Sequence, residues 1–464
     1  MTSTVESTTR GPHRVPLRRL LSVARREGAL AALEDVGRSA EGALTRVSLG
    51  PFRPYLVTHP AHLEHILRGN AGNYPRGAMM WKAFSRLTGE GIAGEGPAWE
   101  ASRAILAPAF SGQYVSQITD QMADAVGAAV DDLAARAAHG PVDTGVEMTR
   151  VVQRVVNLVF FGNRIPPEDG DRLGAAISTA MGSFMWRMAM PFVPHAIPMP
   201  GDRRFHAATR TVDEILGPIV AESRRRPAGD QDVVARLLRG TGADGSPLTD
   251  EQVRDDIVGL FVAGSESSAV ALTWLWVALD AHPDVAARLY DEVDRVVGDG
   301  PPRREHVRRL TYTRMVIQEV LRLYSVGWAV PRMATADDVI DGVHIRAGST
   351  LVLSPYLTHR IPGVWEDPYR FDPERFTPER VKARVREHGR FAYLPFGLGV
   401  HECLGQHFFE VEAALIVASI VARLRPALAT DGPVEPQLAL TMRPRGPVLF
   451  TFAPKPPETW DKSA

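Results

Sequence analysis

The longest apolar segment of this 464-residue chain covers residues 257–279, well inside the chain. The segment is long enough to cross a bilayer. However, acidic residues precede it and the polar run of residues 265–268 interrupts its centre. In a soluble protein, a helix that is apolar on all sides lies in the core. The segment therefore predicts a central core helix that the rest of the chain must surround.

The start of this helix is marked by local signals. Thr249 can cap the helix, and Gln252 three residues later can return a hydrogen bond, which is a capping box. Asp250 and Glu251 place negative charge near the positive end of the helix dipole. The sequence thus predicts that the core helix begins directly after Thr249.

The remaining patterns predict a mainly α protein with a minor β region. Residues 117–138 and 205–225 have amphipathic helical periodicity. Strand patterns occur in four stretches: residues 44–58, 339–345, 350–353 and 448–452. No linker or repeat divides the chain, so we expect a disordered tail over residues 1–14 and one domain over residues 15–464.

Charge and the N-terminus limit the classes of partner. The net charge is −1, with 45% hydrophobic and 23% charged residues, so nothing in the bulk balance indicates binding to nucleic acid or to an anionic membrane. The first ten residues contain no apolar run. We therefore expect neither a signal peptide nor a membrane anchor, and a cytoplasmic location.

Cys403 is the only cysteine. A single thiol excludes an intrachain disulfide and a zinc site built from several cysteines. It leaves three roles open: a nucleophile, an iron ligand or an inert buried thiol. Gly399 and Gly405 allow the backbone to bend around the sulfur, so that amide N–H groups can point at a thiolate.

The residues around Cys403 follow the pattern Phe-x-x-Gly-x-His/Arg-x-Cys-x-Gly, in which Phe396, Gly399, His401 and Gly405 hold the other fixed positions. This loop resembles the haem-ligand loop of the cytochrome P450 family. The resemblance implies the P450 fold, haem b as the cofactor and Cys403 as the thiolate ligand of its iron. A thiolate ligand favours O–O cleavage.

Other family positions match in order along the chain. Trp99 and Arg103 match a Trp-x-x-x-Arg motif, and Arg332 and His401 match two further basic positions. The resemblance implies that these side chains bind haem propionates. Phe396, Gly405 and Ala263 are also expected at the cofactor.

Residues 263–268 are similar to the family motif on the helix that crosses the distal haem face. Glu266 and Ser267 are therefore the expected catalytic pair, which delivers protons to iron-bound oxygen. Ser267 stands where the family usually has threonine. Serine keeps the hydroxyl but lacks the methyl group that restricts χ1. In the alternative interpretation, these hydroxyls bond back to the preceding carbonyls of their own helix.

Glu319 and Arg322 match the family's Glu-x-x-Arg. Positions i and i+3 share a helix face, and the resemblance implies a buried network with Arg375. Its expected role is structural.

Segments that contact substrate in the family are rich in methionine and aromatic residues here; they are residues 79–92, 181–190, 326–330 and 438–442. They predict an apolar pocket for a lipophilic terpenoid or polyketide-derived molecule. O2 is the expected co-substrate, and a separate ferredoxin or flavodoxin with its reductase is the expected electron source. A basic cluster at residues 380–390 is the expected docking region.

The predicted reaction is hydroxylation of a small molecule with O2 activated at the haem. Desaturation, epoxidation and oxidative ring closure are alternative outcomes of the same chemistry. A haem protein without turnover is a second alternative. A cysteine hydrolase with His401 as its base is a third.

Overall fold

The structure is a computed structural model. It describes residues 11–456 except 51, 78, 184–185, 188–189, 191–192, 195, 226–231 and 299. Two predictions fall partly on residues outside this set: most of the N-terminal tail, and part of the 181–190 segment.

Helices make up most of the described chain. In order they are α1 Leu17–Glu27, α2 Ala29–Ala40, α3 Pro60–Glu64, α4 Met79–Thr88, α5 Gly96–Leu106, α6 Gly112–Ala137, α7 Thr144–Phe161, α8 Pro167–Ser183, α9 Asp202–Arg225, α10 Val233–Arg239, α11 Asp250–Ala281, α12 Pro283–Val297, α13 Arg304–Val307, α14 Thr311–Leu323, α15 Pro355–Thr358, α16 Pro378–His388 and α17 Gln406–Val421. A π-helical turn, His65–Gly69, and short 3₁₀ turns, including Pro373–Phe376, lie between them.

The strands form a smaller part: β1 His13–Val15, β2 Thr45–Val47, β3 Tyr55–Val57, β4 Val142–Asp143, β5 Val330–Met333, β6 Asp338–Ile340, β7 Val343–Ile345, β8 Thr350–Leu353, β9 Leu424–Leu428, β10 Pro436–Leu438, β11 Met442–Pro444 and β12 Leu449–Pro454. The main sheet has the order β1-β2-β3-β8-β5, in which β3 and β8 run parallel and β8 and β5 antiparallel. A second sheet has the order β4-β12-β9, and β6–β7 and β10–β11 form two-stranded pairs.

The apolar segment is the central helix, as predicted. Thr249 and Gln252 form the capping box, with hydrogen bonds of 3.2 Å and 2.9 Å between side chains and backbone. The helix α11 packs against α7, and Trp274 and Trp276 are each 1% exposed. By length and composition α11 could cross a membrane, but 72% of its most apolar window is buried inside the protein.

The predicted secondary structure is confirmed at the strand patterns and at both amphipathic helices, which correspond to α6 and α9. The mainly α class with a minor β region is therefore confirmed. At the N-terminus one boundary needs correction. His13 and Arg14, which the sequence assigned to the tail, belong to β1 and pair with Thr45 and Arg46 of β2.

Candidate functional site

The loop before α17 is folded tightly around Cys403. Gly397 and Gly399 have φ angles of 67° and 84°, a region that favours glycine. A Cβ atom at Gly399 would lie 2.1 Å from the carbonyl oxygen of Leu67. The loop backbone therefore sits directly on the π-helical turn, and only glycine fits at this position.

Hydrogen bonds fix the cysteine inside this loop. Its backbone N–H donates to the carbonyl of Phe396 at 2.8 Å. The thiol has accessible surface, yet the surrounding protein raises its pKa by burial, which the N–H of Gly405 and the charge of Arg103 partly oppose. The accessible surface of the thiol and its raised pKa are compatible if the sulfur faces an enclosed cleft. A positive charge or a metal ion in that cleft would stabilise the thiolate.

Three residues that were predicted to bind haem propionates, Trp99, Arg103 and His401, meet at this loop. Arg103 on α5 donates to the carbonyl of Glu402 at 3.0 Å. The rings of Trp99 and His401 lie 4.2 Å apart, and the guanidinium of Arg103 lies 5.7 Å from the Trp99 ring. α5 and the cysteine loop, about 300 residues apart in sequence, thus form one surface.

Two residues that the sequence did not identify, Arg76 and Glu95, also belong to this surface. Glu95 lies 3.1 Å from Nε2 of His401 and accepts a 2.7 Å hydrogen bond from the backbone N–H of Arg76. The guanidinium of Arg76 donates to the carbonyl of Gly94 at 3.1 Å. The only signal in the sequence was an arginine followed by a glycine-rich loop.

The electrostatics of this edge are strongly cationic. Burial lowers the pKa of Arg332, which is 4% exposed, to about 10, and the charge of Arg76 adds to the shift. Burial also lowers the pKa of Arg76 to about 10. The pKa of His401 falls to about 4, because of burial first and the Arg76 charge second. Glu95 is the anion that opposes these shifts.

These residues fit haem. Nε1 of Trp99 and Nε of Arg76 are buried donors without a hydrogen-bond partner in the described part of the chain. There, Arg332 donates a side-chain bond to the carbonyl of Pro331 and to no carboxylate. Buried donors normally have partners, and a guanidinium fork matches a carboxylate. The haem carboxylates would satisfy this edge while Cys403 met the iron.

A second charged cluster, formed by Glu319, Arg322 and Arg375, supports the Cys403 loop. Arg322 and Glu319 on α14 are both fully buried and joined by bonds of 2.7 Å and 2.9 Å. Arg322 also donates to the carbonyls of His359, Pro368 and Arg370. Nε of Arg375 lies 3.4 Å from Glu319. The network expected from the sequence is present.

His359 links that network to the cysteine loop. Its carbonyl accepts from Arg322, and its Nε2 accepts from the backbone N–H of Leu394 at 3.1 Å. The carbonyl of Leu394 in turn accepts from the N–H of Gly397 at 3.1 Å. Burial, together with the charge of Arg322, lowers the pKa of His359 well below its usual range. The neutral ring can therefore act as an acceptor.

The distal motif on α11 differs in detail from the expectation. The Ser267 hydroxyl donates to the carbonyl of Ala263 in its own helix, which is the back-bonding alternative. Glu266 does not lie behind Ser267: its carboxylate accepts a 2.9 Å bond from the hydroxyl of Thr441. Ala263 is exposed in the middle of α11, between the buried residues Val262 and Ser265. No hydrogen bond within the described residues connects this motif to the Cys403 loop.

Several side chains from the predicted substrate segments lie at the margin of the main core. They are Phe84, Ile92, Val326 and Leu440. The indole of Trp328 donates to the carbonyl of Ala439 at 2.8 Å, which joins two of the segments. Phe184, Met185, Met188 and Ala189 lie outside the described residues, as do the side chains of Met79 and Met80.

The basic cluster before Cys403 needs one correction. Arg384 is half-buried: its guanidinium lies 4.3 Å from the ring of Trp365, and it donates to the carbonyl of Arg375. It is therefore a packing residue. Arg386 and Arg390 are exposed. They remain the better candidates for contact with a partner.

Known proteins are similar to this chain over most of its length. The family model described as Cytochrome P450 matches residues 10–452. The chain is 28% identical over 411 residues to pentalenene oxygenase of Streptomyces avermitilis, with 88% of this chain and 89% of that protein covered. It is 32% identical over 395 residues to cyclooctat-9-en-7-ol 5-monooxygenase of Streptomyces melanosporofaciens, with 84% of each covered.

Solved structures are similar over nearly the full length. The crystal structure of the cytochrome P450DA heme domain superposes with a TM-score of 0.83 at 25% identity, and covers 95% of this chain and 97% of that chain. A mutant of the same heme domain gives a TM-score of 0.85.

Proposed function

Because the chain belongs to the cytochrome P450 family, and is therefore a haem-dependent monooxygenase, we propose that it hydroxylates a lipophilic terpenoid. The observation that carries the substrate class is the set of relatives: pentalenene oxygenase, cyclooctat-9-en-7-ol 5-monooxygenase and cyclooctatin synthase. The apolar side chains at the margin of the core, among them Phe84 and Ile92, support it. Apolar walls with few polar groups are typical of such pockets.

Bound haem b supplies the oxidation chemistry, and the protein supplies position, charge and exclusion of water. Cys403 would hold the iron, and the bent loop keeps its sulfur near the Gly405 N–H. The cationic edge of Arg76, Arg103 and Arg332 would hold the haem carboxylates. Trp99 completes this edge with its indole N–H.

Ser267 is proposed to take part in proton delivery. Its own hydrogen is engaged by the Ala263 carbonyl, so the hydroxyl oxygen is oriented to accept a hydrogen bond. Adjacent helical residues point about 100° apart, so the side chains of Glu266 and Ser267 point in different directions. Glu266 contributes through Thr441, whose hydroxyl donates to its carboxylate. The two residues therefore act on different parts of the cleft.

Substrate binding tests the substrate class. Cyclic sesquiterpene and diterpene hydrocarbons or monoalcohols should convert the Soret band of the oxidised enzyme from the low-spin to the high-spin form. Polar, charged ligands of similar size serve as controls. If only the charged ligands shift the band, the apolar pocket is wrong. Products formed under labelled O2 separate oxygen insertion from desaturation, since hydroxylation and epoxidation incorporate the label and desaturation does not.

The proposed electron donor is a ferredoxin. A surface concavity of about 210 Å³ lies beside the cysteine loop, lined by residues that include Arg390, Gly397 and Glu402. Arg386 and Arg390 are exposed near it. Opposite charge steers such encounters and is screened by salt. Salt should therefore slow reduction by an acidic ferredoxin.

Charge reversal tests this surface. Arg386→Glu and Arg390→Glu should each lower the rate of reduction by ferredoxin at low salt and flatten its salt dependence, while reduction by dithionite stays unchanged. Arg53→Glu is the matched control, because Arg53 is also exposed and is far in sequence from Arg386 and Arg390. If both variants follow that control, a ferredoxin does not dock there.

Two alternatives stand beside hydroxylation. Desaturation, epoxidation or ring closure would use the same site, and the labelled-oxygen experiment separates desaturation from oxygen insertion. A haem protein without turnover would bind the terpenoids but release no product with any electron donor. The hydrolase alternative fails, because the family model that matches residues 10–452 is that of the cytochromes P450.

For the whole chain, a single domain in the cytoplasm is proposed, which begins with β1 at His13 rather than at residue 15. The extensive burial of α11 supports this proposal, because a helix packed inside the protein is not available to lipid. Limited proteolysis that leaves one resistant fragment, with the activity in the soluble fraction, is the expected result.

A further inference from the structure

Asp256 is a buried carboxylate that binds a loop. It is 1% exposed and lies in the second turn of α11. One carboxylate oxygen accepts from the backbone N–H of Ile92 at 2.6 Å, and the other accepts from the hydroxyl of Ser102 at 2.7 Å. Both donors are neutral. A buried anion that is not paired with a cation is costly, so these two bonds carry its stabilisation.

The loop that Asp256 holds, residues 89–95, is shaped to lie against α11. A Cβ atom at Gly91 would come within 2.1 Å of the Asp256 carboxylate, and one at Gly89 within 1.8 Å of the Asp255 carboxylate. On the helix side, a Cβ atom at Gly259 would meet the Ile92 side chain at 3.2 Å. Glycines on both partners permit this close approach.

The same loop reaches the cationic edge at its other end. Arg76 donates to the carbonyl of Ile92 at 3.4 Å and to that of Gly94 at 3.1 Å. Glu95, which ends the loop, accepts from the N–H of Arg76 and lies 3.1 Å from His401. Ile92 is thus held through its N–H by the helix and through its carbonyl by a haem-edge arginine.

The position of Asp256 on the helix fits this role. It precedes Ala263 by seven residues and Ser267 by eleven, close to two and three turns of 3.6 residues. The three residues therefore share one face of α11. Burial raises the pKa of Asp256 to about 6, so at pH 7 most of the group is the carboxylate, which offers an acceptor to each donor.

We propose that Asp256 is a positioning residue for the haem edge: by fixing residues 89–95 it places Arg76 and Glu95, and through Glu95 it places His401. The inference rests on the proposed haem function of this edge. It predicts that loss of the tether leaves Cys403 in place but lets the carboxylate-binding groups move. Haem should then leave the protein faster.

Haem transfer from the purified holoenzyme to excess apomyoglobin measures this directly. Asp256→Asn should release haem about tenfold faster, the scale of one weakened hydrogen bond to a charged group. Ser102→Ala removes one donor and should give a smaller increase. Glu251→Gln, which removes an exposed charge from the first turn of the same helix, should match the wild type.

A double-mutant cycle with Arg76→Met separates positioning from general weakening. Because Asp256 acts partly through the Arg76 side chain, Asp256→Asn should change the release rate by a smaller factor in the Arg76→Met background than in the wild type. The proposal is overturned if Asp256→Asn behaves like Glu251→Gln, or if its effect is undiminished beside Arg76→Met. Should Asp256→Asn not fold, Ser102→Ala enters the same cycle. A wild-type enzyme without a thiolate-haem spectrum would instead refute the haem function itself.

Discussion

Two arginines near the Cys403 loop, Arg322 and Arg76, differ in how their donors are satisfied. The five side-chain hydrogen bonds of Arg322 all end on protein oxygens: two on Glu319 and three on backbone carbonyls. At the cationic edge, Nε of Arg76 and Nε1 of Trp99 are buried donors with no partner among the described residues. A guanidinium whose donors are all satisfied supports the fold. One with spare donors is available to a ligand.

The largest effect should come from breaking the pair of Glu319 and Arg322. Glu319→Gln leaves Arg322 buried beside a neutral partner, and this should cost about 3–5 kcal/mol of unfolding free energy. Urea unfolding followed by circular dichroism measures it. The exposed pair of Arg19 and Asp35 offers the control, since Asp35→Asn should change stability little. A Glu319→Gln variant as stable as Asp35→Asn would contradict a structural role for the network.

Glu412 on α17 extends the comparison to a buried acid. Neither of its carboxylate oxygens has a hydrogen-bond partner among the described residues. Burial raises its pKa from the usual 4.5 to about 8, and contact with Ser268 only partly offsets this. Between these values the folded protein binds the proton and the unfolded chain releases it. Stability should therefore fall as pH rises from 4.5 to 8, by up to about 1.4 kcal/mol per pH unit.

Glu412→Gln isolates this contribution. The difference in unfolding free energy between variant and wild type should grow in favour of the variant across that window and level off above pH 8. Parallel pH profiles for the two proteins would show that Glu412 does not take up a proton on folding.

At Arg332, on the cationic edge, we expect the opposite result: a large effect on haem affinity and little loss of unfolding free energy. Arg332→Met removes a buried cation that bonds only a backbone carbonyl in the described structure, so unfolding free energy without haem should be unchanged or higher. Haem affinity should drop about 10–100-fold, the scale of a hydrogen bond to a charged group. Haem-transfer rates and apoprotein unfolding measure the two. A large loss of apoprotein stability would make Arg332 a structural residue like Arg322.

The smallest effect should appear at Ser267. Ser267→Ala removes a hydroxyl that could accept a proton-relay hydrogen bond, and a severalfold larger share of NADPH should be lost to peroxide. Ser267→Thr, which keeps the hydroxyl and restricts its rotation, should retain or improve coupling. Peroxide yield per NADPH in the presence of a bound terpenoid is the measurement. Unchanged coupling in Ser267→Ala would remove Ser267 from proton delivery.

The resemblance to the P450 family singled out the Glu319–Arg322 pair and the Cys403 loop. Glu-x-x-Arg spacing recurs elsewhere in the chain, so the i and i+3 positions alone did not distinguish this pair. The capping box at Thr249 and Gln252 is a local pattern and is confirmed. In each case the interacting residues lie within ten positions of one another.

Residues that act through distant partners could not be found in this way. Asp256 bonds a loop 164 positions away, and Glu95 reaches His401 across the chain. Neither is part of a periodic pattern. Glu266 was expected beside Ser267, but neighbouring positions on a helix point in different directions, and Thr441 receives its carboxylate. Similarly, the packing of Arg384 against Trp365 is decided by tertiary structure.

The absorption spectrum of the reduced, CO-bound protein tests the central claim that Cys403 is the iron ligand at a haem held by this cationic edge. The wild type should give the Soret maximum typical of thiolate-ligated haem, and Cys403→His should give that of nitrogen-ligated haem while still binding the cofactor. A wild-type spectrum of the nitrogen-ligated type, or a thiolate-type spectrum that persists in Cys403→His, would contradict the account.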